Sequence, residues 1–152
     1  MSKKKNKHAH SQHLVTVSSR DLNLLAGVSI AGIASGVLAL VLAGTALSSL
    51  DTGNGLQWLR LFAPTATFAD IIMVFIGAFL MIAFGFLGYR AFHEPSKIVP
   101  FHWISLFAIA FMAVDFVTRL AGGISWLNLL CLVIAIVGYA IDARLKKQLT
   151  SK

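Results

Sequence analysis

Asp115 and Arg119 are the residues of this sequence whose types and spacing best suit chemistry. They stand four apart within an apolar stretch, so a helix would place both on one face, with the acid N-terminal to the base in the better orientation. An ionisable group inside an apolar segment is costly in lipid and marks a candidate functional position. Pairing lowers that cost, and an arginine close to a helix end can extend its head group toward water while keeping the contact. Two readings follow. The pair anchors one end of a helix bundle, or it forms a site for an ion, a headgroup or a charged residue of a partner.

The other polar positions offer less. Asp51, Asp70 and Asn128 fall at the same level of the chain as Asp115. Two membrane aspartates sharing a proton could form a protease dyad. Neither the Asn-Asp-Arg cluster nor the second Asn-containing aspartate motif expected of such enzymes is present. His8, His10 and His13 form HxHxxH, a pattern that neutral imidazoles can use to bind zinc, nickel or copper. No carboxylate or cysteine accompanies them, and Lys3, Lys4, Lys5 and Lys7 place repelling charge alongside, so a solvated tail is expected. Cys131, the single cysteine, sits among leucines and reads as a small buried apolar residue. His93-Glu94-Pro95 reads as a turn with no catalytic partner. Asp142 and Lys146 have the spacing of an exposed i,i+4 pair. No Walker loop, dinucleotide fingerprint, HExxH, GxSxG or CxxC occurs, so no catalytic, cofactor-binding or metal-ligating residue is expected.

The elements that carry these residues are written in the composition. Of 152 residues, 57% are hydrophobic and 12% charged, with mean hydropathy +0.79. A soluble domain carries roughly twice that charge. The apolar residues fall in four runs, about 22–48, 70–92, 101–120 and 124–142. A 20-residue helix spans the roughly 30 Å hydrocarbon core, so each run is long enough to cross it. None shows the alternation of a barrel strand. These features exclude a soluble enzyme, a fibrous protein and a disulfide scaffold. They also make the bilayer, rather than nucleic acid, the natural partner of the +7 net charge. The first run exceeds a signal-peptide core and reads as a retained helix that must tilt or project.

The expected fold is an all-α integral membrane protein, with four transmembrane helices in an up-down-up-down bundle. Residues 1–20 form a basic cytoplasmic tail, 21–145 the membrane domain and 146–152 a basic C-terminal end. Eleven of the 13 Lys and Arg fall on one side of such a bundle, leaving Arg60 and Arg119 on the other. That asymmetry places both termini in the cytoplasm and favours a plasma (cell inner) membrane. Lys3, Lys4, Lys5, Lys7, Arg144, Lys146 and Lys147 would then meet anionic headgroups. A short interfacial helix is expected at about 55–63, where Leu56, Leu59 and Phe62 keep helical spacing. Thr67 and Asp70 have the spacing to cap the second span.

The first helix carries Gly32 and Gly36, extended by Gly44, with Ala39 and Ala43 beside them. Small residues let helix backbones approach closely in lipid, where no hydrophobic force drives helices together. This face would pack on helices of the same chain or dock another protein or a second copy. The second helix concentrates Phe75, Phe79, Phe84, Phe86, Met73 and Met81, relieved by Gly77, Gly85 and Gly88, and reads as structural. The functional expectation is a non-catalytic accessory or assembly subunit of a larger membrane complex. The alternative is a small oligomeric transporter or channel using Asp115 and Arg119. An outer-face membrane enzyme ranks below both.

Overall fold

Each apolar run forms one helix. The computed structural model describes residues 18–48, 67–119 and 125–150. The helices are α1 (Ser19–Ser48), α2 (Phe68–His93), α3 (Ile98–Arg119) and α4 (Trp126–Thr150). All four are long and apolar enough to cross a membrane. The tail histidines and lysines, Asp51 and the expected interfacial helix at 55–63 lie outside the described residues.

The helix ends follow local chemistry. Asp70 closes the first turn of α2: the Thr67 backbone N–H and hydroxyl both donate to Asp70 Oδ2, the hydroxyl at 2.8 Å. A helix start has backbone N–H groups without intrahelical partners, and a carboxylate there also meets the positive end of the helix dipole. At the other end of α2, Glu94 N–H returns to Arg90 O at 2.9 Å, and Pro95–Lys97 forms one 3-10 turn into α3. Pro100 falls in the first turn of α3, where no intrahelical N–H bond is lost. Ser125 begins α4, accepting from Leu129 N–H at its carbonyl. α4 runs to Thr150, continuing in helical form past the apolar span that ends at about 142.

Short connections make α2, α3 and α4 antiparallel in turn, and α1 packs on both α2 and α4 to close the ring. One end of the bundle, the termini end, holds the start of α1, the α2–α3 turn and the end of α4. The opposite end is called distal. The α1–α2 seam is the most extensive and uses the small residues of both helices. A methyl group on Gly36 would lie 2.8 Å from Ala78 O, and one on Gly85 would lie 2.5 Å from Ser29 O. These backbones touch only because no Cβ intervenes. Gly32, Gly36, Ala39 and Ala43 are buried. Gly32 and Gly36 therefore turn toward α2 of the same chain. Gly44 is a departure from the expected stripe, since a Cβ on it would meet nothing within 4 Å.

The bundle centre is apolar. Phe84 and Phe101 are fully buried, with ring centroids 5.0 Å apart. The buried hydroxyls Ser29, Ser35 and Ser105 each donate to a carbonyl of their own helix, which satisfies their donor within that helix. The outward faces carry Ile30, Phe79, Phe86, Phe107 and Val117, all exposed. Large apolar side chains outside and glycines inside invert the soluble pattern and suit lipid. The second helix is thus divided: Phe79 and Phe86 face out, while Phe84 and Met81 fill the core.

Candidate functional site at the distal end

Asp115 and Arg119 sit on the last turns of α3, where helical spacing brings them together. Arg119 Nε donates to Asp115 Oδ1 at 2.7 Å. The tertiary structure adds two residues from other helices. Arg119 Nη1 reaches Asp70 Oδ1 at 2.6 Å, joining α3 to the start of α2. Asn128 Nδ2 donates to Asp115 Oδ2 at 2.7 Å, joining α3 to the first turn of α4. The guanidinium fork suits this task, because it presents several donors in a fixed plane.

The network is shielded but not sealed: the side chains of Asp70, Asp115 and Arg119 retain 12 to 17% of their exposure. It borders a cavity of about 40 Å³. Asp115, Arg119, Ser125 and Asn128 form its polar part; Ala39, Met112 and Cys131 belong to its apolar wall. Asn128 is buried, and its Oδ1 has no hydrogen-bond partner. Its amide orientation follows from chemistry, since the carboxylate of Asp115 requires a donor opposite it. Its backbone N–H also reaches Ser125 Oγ at 3.4 Å.

A second polar pair lies at the termini end and was not legible as a pair from spacing. His102 Nδ1 and Asp142 Oδ2 are 2.5 Å apart, linking α3 to α4. Asp142 is fully buried and its Oδ1 has no partner. The Tyr139 ring lies 5.3 Å from the imidazole. This corrects the expected Asp142–Lys146 pair: Asp142 turns into the bundle and Lys146 remains exposed. A carboxylate brought under the helix surface gains more from a neighbouring imidazole than from a flexible lysine in water. The signal in the sequence was His102 itself, the one histidine inside an apolar run, at the same end as Asp142. Nearby, Gln148 Nε2 donates to Asp21 Oδ2 at 2.8 Å and fastens α4 to α1.

Among the described residues, no group of three or more His, Cys, Asp or Glu could hold a metal ion. Cys131 is buried and unpaired with another cysteine. The comparisons with known proteins give no family: no protein-family model, curated protein or solved structure matches the chain.

Proposed function

We propose that this chain is a non-catalytic accessory or assembly subunit in a cell membrane, with both termini cytoplasmic, that packs on a larger membrane protein. The observation that carries the reading is the outward face of α1. Gly27 has nothing within 4 Å of where its Cβ would stand. Ala31 and Ala34 follow it at helical spacing, with Ala34 exposed. These small residues do little for contact with lipid, yet they leave a shallow strip on which a partner helix can lie backbone to backbone. Gly32 and Gly36 already serve α2, so the docking face lies on the other side of the same helix. The eleven-to-two division of basic residues supports the orientation.

The test is purification of the native full chain in mild detergent, with mass spectrometry of what co-migrates. A larger membrane protein in fixed ratio is expected, and Gly27→Ile and Ala34→Ile should each release it without unfolding the bundle. A homogeneous 16.4 kDa species, or a complex indifferent to both substitutions, overturns the reading. A second reading, a small transporter, is favoured by one observation: Asp115, Arg119, Ser125 and Asn128 line a cavity at the distal end of the bundle.

A further inference from the structure

We propose that the distal cavity binds one small monovalent cation through oxygen, with Asn128 Oδ1 and Asp115 Oδ2 as its protein ligands. This is independent of the subunit reading. The first ground is an unanswered acceptor. Asn128 is 7% exposed, lines the cavity, and its Oδ1 meets no donor. Buried acceptors of this kind are rare and cost free energy unless a donor or a cation answers them.

The second ground is charge. Asp70 and Asp115 supply two formal negative charges and Arg119 one positive, a remainder of −1 at a partly shielded site. A monovalent cation cancels that remainder, whereas a divalent ion leaves a surplus charge in a low dielectric and an anion is repelled. Arg119 Nε and Nη1 engage Asp115 Oδ1 and Asp70 Oδ1, the oxygens other than the proposed ligand Asp115 Oδ2. Asp115 Oδ2 lies 2.7 Å from the nitrogen of the very carboxamide whose oxygen is free. The two proposed ligand oxygens thus belong to one hydrogen-bonded pair of side chains, and hard cations bind such oxygens at roughly 2.4 Å.

The third ground is room. Water needs at least about 10 to 15 Å³ by this measure, so a cavity of about 40 Å³ admits an ion with one or two of its waters.

The experiment compares unfolding of the full chain in detergent in sodium chloride and in N-methyl-glucamine chloride at equal ionic strength. Sodium is the probe; the glucamine cation is too large for the cavity. At a hundredfold excess over its dissociation constant, sodium should raise the midpoint by roughly 5 to 10 °C. Asn128→Asp adds a carboxylate beside Asp115 and should increase the sodium dependence. Asp115→Asn should abolish it. Equal midpoints in the two salts, for the wild type and Asn128→Asp alike, would mean that water alone satisfies Asn128 and would overturn the proposal. Because the wild type is itself measured, a variant that fails to fold leaves the test decisive.

Discussion

Arg119 holds two carboxylates, whereas each carboxylate holds only one arginine, and this asymmetry sets the order in which substitutions damage the protein. In Asp115→Asn, Arg119 keeps Asp70 at 2.6 Å, and the new amide oxygen can still accept from Asn128. The loss is one charge-assisted hydrogen bond at a partly exposed site, close to the lower limit of about 1.5 kcal/mol for such bonds. Asp70→Asn is similar, because Asp115 remains. Arg119→Gln instead leaves both carboxylates without a counter-charge. Removing one partner of a buried pair costs about 3 to 5 kcal/mol. The side chains here keep 12 to 17% exposure, so the lower limit of about 3 kcal/mol is the better figure. The difference of about 1.5 kcal/mol is roughly tenfold in the unfolding constant. Combining Asp115→Asn with Arg119→Gln should cost less than the sum of the two, by about 1 kcal/mol, since one of the stranded charges is gone. The assay is denaturant unfolding of the purified chain in detergent, followed by helicity, in sodium-free buffer so that ion binding does not enter. Asp115→Asn as damaging as Arg119→Gln would refute the bridging role of Arg119. Strict additivity of the double variant would show that the two side chains do not interact.

Gly85→Ala should cost about 1 to 3 kcal/mol, because its Cβ would lie 2.5 Å from Ser29 O and Ile33 Cγ1. Gly27→Ala, with nothing within 4 Å, should leave the melting temperature unchanged or raise it, and equal behaviour of the two would contradict the α1–α2 seam. His102→Ala strands fully buried Asp142 and should lower stability by about 3 kcal/mol. Adding Asp142→Asn should recover part of that loss in the same thermal assay. Glu94, beside Lys97 in the α2–α3 turn, has its carboxyl held below the usual value by its bond to Lys97 and by that charge. Its contribution is present above the unfolded value of 4.5 and disappears as pH falls through the lower folded value. Being exposed, it should be small, and Glu94→Gln should flatten the acid limb of the stability profile only slightly. For orientation, Ser2→Cys in a Cys131→Ala background should label only from the cytoplasmic side and Asn54→Cys only from outside.

The sequence alone determined the number of helices, their order and which residues share an end. Continuous apolar length fixes the spans, and short connections fix their alternation. Within one helix, 3.6 residues per turn fixes neighbours, which is why Asp115 and Arg119 could be read as adjacent, and Thr67 with Asp70 as a cap. Asp70 and Asn128 were legible as residues of the same level but not as members of one network. Only the tertiary structure brought them to Arg119 and Asp115, and His102 to Asp142. It likewise turned Gly32 and Gly36 toward α2 and left Gly27 open. The physical reason is that these helices are apolar on every side. In water, an amphipathic pattern announces which face is buried; in helices that suit lipid on every face, rotation about the axis is decided by where small residues allow backbones to meet and where buried polar groups find partners. Those choices belong to pairs of helices, and no single segment carries them.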